Sequence, residues 1–301
     1  MMSDTSRKAQ GQGDGYSDTK GQCPCPLDTK RGAMPKLYIV GTPIGNLKDI
    51  TMRAVETLQA VDFIACEDTR RTAVLMNALS IKKPLFACHK FNEKECADKI
   101  IAEVLAGKTA ALVTDAGMPC ISDPGAVLVN KARESGIDFE IIGGVSAFTH
   151  ALVASGFDAS QFYFAGFLPE KNKDRTAVAG RLKNIEATLI FYCAPHNLKK
   201  DIEFLCKELG DRKVAICREL TKLYEETVIT TLSKPPQKEP RGEYVLVIEG
   251  AKNENPLCAL SIKEHVGHYI KQGIEKKEAI KLVAKDRGVA KSVVYNSLHF
   301  E

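Results

Sequence analysis

The run Ala110-Ala-Leu-Val-Thr-Asp-Ala-Gly-Met-Pro-Cys-Ile-Ser-Asp-Pro-Gly125 starts apolar and then breaks into a stretch rich in Gly, Pro and Asp. Its apolar head reads as a buried strand. Gly117, Pro119, Pro124 and Gly125 then set a turn that neither helix nor strand continues. Two further loops of this kind follow short apolar runs: Gly41-Thr-Pro-Ile-Gly-Asn46 after residues 37–40, and Gly143-Gly-Val-Ser-Ala147 after residues 139–142. Open α/β sheets bind ligands outside the carboxyl ends of their strands. With the strands side by side, all three loops open on one sheet edge, and that edge is the expected site.

Around these loops the pattern alternates. Strands are expected at 37–40, 63–66, 85–88, 110–113 and 139–142. Helices are expected at 51–60 with Thr51 as cap, through 78, at 93–105 with Ile100, Ile101, Val104 and Leu105 facing in, at 126–135 and at 147–155. Alternation of this kind predicts a parallel sheet covered on both faces. Residues 156–161 read as a crossover into a second unit, with strands at 162–166, 188–192, 214–217, 227–232 and 244–248 and helices at 174–184 and 198–209. The Pro-rich join at 233–242 predicts a hairpin between the last two strands, and hence a mixed sheet. Residues 253–256 read as a linker, and the remainder to 301 as helical, broken at Arg287-Gly288-Val289, with Ser292 able to cap the last helix. The expected organisation is a disordered tail over 1–33, α/β domains over 34–155 and 156–252, and a helical module over 258–301.

A chain of 301 residues is long for one domain and comfortable for two. No apolar run is long enough to span a membrane and the amino terminus has no signal-peptide core, so a cytoplasmic protein with no membrane partner is expected. Eight of the ten cysteines are scattered through expected strands and helices as small core residues would be. Cys23-Pro-Cys25, in the tail, is too tight for a structural zinc site, and no metal is expected. The net charge of +4 is mild, but Lys and Arg gather in 171–175, at Lys199 and Lys200, and through the last thirty or so residues. Such clusters suit a phosphate-rich partner and equally suit solvated helix faces.

The first loop is not Gly-x-Gly-x-x-Gly and none is a Gly-x-x-x-x-Gly-Lys-Ser/Thr loop, which disfavours ordinary dinucleotide and triphosphate sites. Pro43 and Pro119 point instead to rigid walls around something compact and mostly apolar. The blocks Tyr38-Ile-Val-Gly-Thr-Pro-Ile-Gly-Asn-Leu-Lys-Asp-Ile50, Cys66-Glu-Asp-Thr-Arg70, Val113-Thr-Asp-Ala-Gly-Met-Pro119, Ser122-Asp-Pro-Gly125, Gly166-Phe-Leu-Pro169, Arg218-Glu-Leu-Thr-Lys222 and Gly242-Glu-Tyr-Val are more specific. In this order they resemble the 16S ribosomal RNA cytidine-2′-O-methyltransferases, of the wider tetrapyrrole-methylase fold. The resemblance runs from about Met34 to Gly250. It implies S-adenosyl-L-methionine in a cleft between two α/β domains, methylation of a cytidine ribose 2′-hydroxyl in the decoding region of the small ribosomal subunit, and a homodimer. Met118 stands where the family usually has Thr, Val145 where it has Pro, and Cys193 and Asn197 where it has Glu and Arg. A relative with a tetrapyrrole or other small acceptor, and a non-catalytic RNA-binding module of the same fold, are the competing readings.

A sulfonium methyl is already electrophilic, so the protein has to align an acceptor, exclude water and handle one proton. Glu67 and Asp68, after the second strand, are placed to hold the ribose or accept its proton, and Asp68 equally to cap the next helix. Asn46 is placed to bond the ribose or to close an Asx-turn. On the cofactor side stand Pro43, Gly45, Asp115, Gly117, Pro119, Gly144, Ser146 and Ala147, the glycines allowing close backbone approach. Asp123, before a proline, reads as turn architecture, and His89 as a polar loop residue. Arg70, Arg71, Arg218 and Lys222 are the expected RNA phosphate contacts, or else partners of Glu67, Glu219 or Glu225. The basic carboxyl-terminal helices, packing Ile280, Val283, Val293, Val294 and Leu298, are the expected RNA-docking module.

Overall fold

In the computed structural model, which describes residues 36–237, 239–252 and 256–298, the elements run in chain order. They are β1 (Leu37–Val40), α1 (Met52–Ala60), β2 (Phe63–Cys66), α2 (Thr69–Ala78), β3 (Leu85–Ala87), α3 (Glu93–Leu105), β4 (Ala110–Val113), α4 (Ala126–Glu134), β5 (Phe139–Ile142) and α5 (Ala147–Ser155). There follow β6 (Phe162–Phe167), α6 (Asn172–Leu182), β7 (Thr188–Cys193), α7 (Leu198–Leu209), β8 (Lys213–Arg218), β9 (Glu226–Thr231), β10 (Tyr244–Ile248), α8 (Ile262–Lys271), α9 (Lys276–Asp286) and α10 (Lys291–Ser297). The expected tail over 1–33, with Cys23 and Cys25, and most of the expected linker lie outside the described residues.

The first sheet is parallel, in the order β3-β2-β4-β1-β5. Side chains alternate across it as the pleat requires. Leu37, Ile39, Ala65 and Leu112 face Ile100, Val104 and Leu128 of α3 and α4, while Tyr38, Val40, Ile64 and Val113 face Leu58 and Met76 of α1 and α2. Each such Leu or Ile, fully buried, contributes about 1.5–3 kcal/mol. Thr51 caps α1 through its hydroxyl, accepting from Ala54 N at 3.1 Å. Leu105, expected to face in, is 60% exposed, because the buried stripe of α3 runs through Ala97, Ile100, Ile101 and Val104 and Leu105 falls beyond its edge. β1 and β4 are neighbours, yet the connection from one runs to β2 and from the other to β5, over opposite faces. Their exit loops therefore part at the carboxyl edge, the geometry that opens a crevice.

The second sheet has the order β6-β7-β10-β8-β9, with β6 and β7 parallel and the other pairs antiparallel. The sheet is mixed as expected, but the expected hairpin is not formed. β9 pairs with β8, and β10 returns between β7 and β8. The reason is composition: Tyr244-Val-Leu-Val-Ile248 is buried throughout and takes a central place, whereas Glu226-Thr-Val-Ile-Thr-Thr231 is half exposed and takes the edge. α6 and α7 cover one face through Leu182, Ile202 and Leu205. The other face is covered by α5, whose Ala151 and Leu152 pack with Ile190, Ala215 and Val247. The last helix of the first α/β run thus carries the second sheet, which ties the two layers together around the strand-end loops.

α8, α9 and α10 share a small core of Val266, Ile280, Val283 and Val294. Ser261 and Glu264 form a capping box on α8. Two expectations here are corrected. Val293 is 46% exposed, since its neighbour Val294 takes the inward position, and Ser292 lies inside α10, which starts at Lys291 after Ala290. Among the described residues no helix is long and apolar enough to cross a membrane.

Candidate active site

The three Gly/Pro loops meet at the carboxyl edge of the first sheet. Thr42 and Gly117 exchange backbone hydrogen bonds of 2.9 and 3.1 Å, and the buried Thr42 hydroxyl donates to the Thr114 carbonyl at 3.2 Å. Gly41 and Gly144 touch backbone to backbone. A Cβ on Gly41 would lie 2.8 Å from Gly144 and 2.6 Å from Met118 Sδ. These glycines let the loops after β1 and β5 close on each other, a role of loop packing. At the far end of the β4 loop, Glu93 of α3 accepts from Gly125 N at 2.8 Å and Val127 N at 3.3 Å, capping α4 from outside.

A cavity of about 450 Å³ opens between these loops and the second sheet, a size typical of small-molecule sites. From the first sheet come Glu67, Arg71, Asp115, Gly117, Met118 and Asp123; from the second come Phe167, Tyr192, Cys193 and Glu243; Ser146 and Ala147 sit between. Of the residues expected on the cofactor side, Asp115, Gly117, Ser146 and Ala147 are on the wall, while Pro43, Gly45 and Pro119 lie outside it. Gly45 is instead covered by the Lys222 stem, whose Cγ would sit 2.4 Å from a Cβ there. Gly144 lines a neighbouring cavity with Thr149 and His150.

The carboxylates divide into two kinds. Asp68 caps α2, accepting from Arg70 N at 2.9 Å, and its other oxygen is held by the Arg70 guanidinium at 2.7 Å. Those bonds pull its pKa down to about 2. Its side chain is committed, and it lies off the cavity wall with Asn46, whose carboxamide accepts from Lys48 N. Glu67 is on the wall, and burial and the Asp115 charge raise its pKa. Asp115 accepts from Asp68 N at 3.2 Å and pairs with Arg71 at 3.2 Å. Asp123, read from sequence as turn architecture, is on the wall as well; burial first, then the charges of Glu67 and Asp115, push its pKa up to about 6. Nothing in Ser-Asp-Pro-Gly distinguishes a turn carboxylate from one turned into a cavity, and only the packing of the loop decides it. Tyr192, Phe167 and Glu243 are on the wall too; the blocks holding Phe167 and Glu243 carry the resemblance, but nothing in them marks either side chain as facing a cavity. Burial raises the Tyr192 phenol pKa, with Ser146 and the Phe148 backbone nearby acting in the opposite direction. Ser146 precedes α5 but makes no capping bond with its hydroxyl.

The expected phosphate contacts also separate. Arg71 reaches the cavity with its side chain 71% exposed. Arg70 is outward and bound to Asp68. Arg218 donates to the Arg241 carbonyl at 2.9 Å and faces Glu226, and Lys222 is held by Glu219 at 3.0 Å and Glu243 at 2.8 Å. The carboxylates that engage them are thus Asp68, Asp115, Glu226, Glu219 and Glu243. Behind the cavity wall, Cys193 Sγ donates to Asp201 at 3.3 Å, and Asp201 forms a buried ion pair with Arg175 at 2.8 Å. Asn197 ends the short turn leading into α7. His89 donates its backbone N–H to Asn92 at 2.8 Å, as a loop residue. Among the described residues no cluster of side chains is suited to a metal ion.

The family profile Tetrapyrrole (Corrin/Porphyrin) Methylases matches residues 36–236. The chain is 44% identical over 275 residues to the ribosomal RNA small subunit methyltransferase I of Bacillus subtilis (strain 168), covering 88% of this chain and 94% of that protein. It is 45% identical over 274 residues to the protein of the same name from Halalkalibacterium halodurans, covering 88% and 95%. Among solved structures, the uroporphyrin-III-C-methyltransferase from Thermus thermophilus superposes with a TM-score of 0.53 at 21% identity, over 71% of this chain and 94% of that one, a likeness of fold. With both sheets, the loop-edge cavity and these relatives in agreement, the chain belongs to the tetrapyrrole (corrin/porphyrin) methylase family, in its ribosomal RNA small subunit methyltransferase I branch.

Proposed function

We propose that this chain transfers a methyl group from S-adenosyl-L-methionine to the ribose 2′-hydroxyl of a cytidine in 16S ribosomal RNA, in the decoding region of the small subunit. The observation that carries the reading is the cavity itself. On a chain 44% identical to a ribosomal RNA methyltransferase over 94% of that protein's length, it collects four carboxylates, several apolar side chains and an exposed arginine beside the ends of parallel strands.

The wall fits the cofactor by its chemistry. Gly117, at φ +83, leaves the loop open on the side of Ile44, and Ser146 and Ala147 offer a hydroxyl and backbone where α5 begins. Asp115 and Glu67 supply negative charge suited to a sulfonium and an ammonium. Met118, one of the departures from the usual family residues, keeps this wall apolar, while Val145, another, lines the neighbouring cavity. When bound, S-adenosyl-L-methionine supplies an electrophilic methyl on a positively charged sulfur. The chain's part is to bind it, align the acceptor oxygen, exclude water and take the hydroxyl proton. We assign that last role to Asp123, since a carboxylate with a pKa near working pH is both ionised and basic enough to accept a proton. Asp68, bound by Arg70, is left as the α2 cap, and Glu67 as the like charge that keeps Asp123 basic.

Arg71 at the cavity mouth is the proposed phosphate contact, and Arg218 and Lys222 act through the carboxylates that already hold them. The helices over 258–301, with Lys276, Lys277, Lys285 and Lys291, form the proposed RNA-docking module, next to α/β domains over 34–155 and 156–252. The same proposal includes a homodimer, as the resemblance implies, and a cytoplasmic location.

The test is transfer of labelled methyl from S-adenosyl-L-methionine to small subunits taken from cells lacking the gene, with the product mapped by nuclease digestion and mass spectrometry. The expected result is one new 2′-O-methylcytidine in 16S ribosomal RNA. Label appearing on a base, or only on a tetrapyrrole offered in competition, refutes the proposal. Cofactor binding without transfer to any acceptor would instead favour a non-catalytic module.

A further inference from the structure

The open side of the cavity carries two apolar side chains that the backbone holds out by unusual means. Phe167, the last residue of β6, is 57% exposed and lines the cavity. It lies an odd number of residues after Phe164, so in a regular strand the two rings would point to opposite faces. The pairing of β6 with β7 slips between Phe164 and Gly166, where Gly166 takes φ +67, and this bulge restores Phe167 to the face of Phe164. Both rings then meet Tyr192 edge-on, with centroids 4.9 and 5.4 Å away. Phe164 is packed beneath, against Phe148, and Phe167 is left facing the cavity.

Ile121 is the second such residue. It is 38% exposed, lines the same cavity, and lies between Cys120 at φ +70 and Ser122 at φ +65, a strained pair for side-chain-bearing residues. A Cβ on Gly166 would lie 3.4 Å from Ser122 Oγ, so the bulge and the strained loop adjoin. The irregular strand and the strained loop serve one outcome, two apolar surfaces presented to a cavity that also holds the carboxylates of Glu67, Asp115, Asp123 and Glu243.

We propose that Phe167 and Ile121 form a slot for the nucleobase of the acceptor nucleotide, turned out of its helix and stacked on the Phe167 ring. The inference rests on the proposed function and deepens it, by naming where the base goes when its ribose reaches the carboxylates. A ribose in a stacked helix cannot enter a cavity of this size with its neighbours attached, and splayed RNA bases are held by stacking on aromatic side chains. Phe167 offers a ring face without a hydrogen-bonding group, so it secures any planar base, and sequence preference has to come from polar groups elsewhere. The Tyr192 ring, edge-on to Phe167, fixes the orientation of that face.

The test compares wild type with Phe167→Leu, which keeps apolar bulk and removes the ring face, and Phe167→Tyr, which keeps both. Three quantities are measured: KM and kcat for small subunits, calorimetric affinity for S-adenosyl-L-methionine, and quenching of a short single-stranded RNA carrying one pyrrolocytidine. Stacking predicts that Phe167→Leu raises KM by about 5- to 150-fold and abolishes quenching, with cofactor affinity unchanged. Phe167→Tyr is expected to retain the quenching that Phe167→Leu loses. Quenching by Phe167→Leu equal to wild type, or equal loss in both variants, overturns the slot. If wild type methylates subunits but does not quench the probe, the slot falls while the function stands. If it quenches the probe and methylates nothing, the proposed function falls and the slot stands.

Discussion

Replacing Asp123 by Asn separates catalysis from stability in opposite directions. Burial and the charges of Glu67 and Asp115 hold its carboxyl at about 6, against an ordinary value of 3.8. A difference of about 2 pK units corresponds to about 3 kcal/mol of preference for the protonated form in the folded chain. Because the folded pKa is raised, the folded state binds the proton more tightly than the unfolded one. The favourable contribution is therefore complete below the unfolded value near 3.8 and is lost as pH rises through about 6. At neutral pH the ionised carboxylate is a burden on the fold. After discounting for partial solvation and coupling to its neighbours, Asp123→Asn is expected to stabilise the protein there by about 1–3 kcal/mol, with a smaller gain at pH 4.

The same substitution removes the proposed proton acceptor and is expected to slow transfer by about 10²- to 10⁴-fold. In wild type the rate should climb with pH and level off above about 6; one unit below that midpoint only about a tenth of the carboxylate is ionised, giving a roughly tenfold lower rate. Glu67→Gln removes one like charge, so it should move this acid limb to lower pH. The assays are single-turnover methyl transfer to small subunits across pH 5–8, denaturant unfolding at pH 4 and 7, and calorimetric cofactor affinity. A variant that keeps wild-type transfer ends the assignment of Asp123 as base. One that loses transfer and stability together makes Asp123 a structural turn residue, as its Ser-Asp-Pro-Gly context alone suggested.

Two further substitutions probe the frame of the cavity. Arg175→Met leaves Asp201 buried without its guanidinium, 2.8 Å away in the native fold, and should cost about 3–5 kcal/mol in chemical denaturation. Adding Asp201→Leu should recover most of that loss, and no recovery would mean that the pair is not the source of it. Gly41→Ala puts a methyl 2.8 Å from the Gly144 backbone, which should lower stability by about 1–3 kcal/mol and weaken cofactor binding. Adding Met118→Ala should not rescue it, because the Gly144 contact remains; full rescue in thermal melts would place the conflict at the sulfur alone.

What was legible in the chain divides along physical lines. Periodicity located nearly every element, because apolar alternation and helical stripes are local signals. It misplaced β10, since pairing partners are decided by competition for the buried centre of a sheet, which Tyr244-Val-Leu-Val-Ile248 wins over the half-polar β9. The loops that frame the site were visible as Gly/Pro punctuation, and Asp115, Gly117, Ser146, Ala147, Glu67 and Arg71 do line the cavity. Which carboxylate faces inward was not visible, because Asp68 and Asp123 both sit in turn-forming contexts. Tertiary contacts sort them: Arg70 folds back on Asp68 and keeps it acidic and off the cavity wall, while the loop from Cys120 to Gly125 sets a half-buried Asp123 on that wall near two other carboxylates.

The same division bears on how the site is built. The residues that determine its chemistry by position rather than by type are those set by strained or irregular backbone: Cys120 and Ser122 at positive φ, Gly166 in the β6 bulge, and the Gly41–Gly144 contact. Cys120, Ser122 and Gly166 set Ile121 and Phe167 on the wall of one cavity, and the Gly41–Gly144 contact closes the loops beside it. A raised Asp123 pKa is a further load of the same kind. Regular secondary structure in both sheets supplies the stability that offsets these local costs. The strained pair at Cys120 and Ser122, the Gly166 bulge and the raised Asp123 pKa all fall on one cavity, and that coincidence is the physical argument that the loop edge of the first sheet is where this protein works.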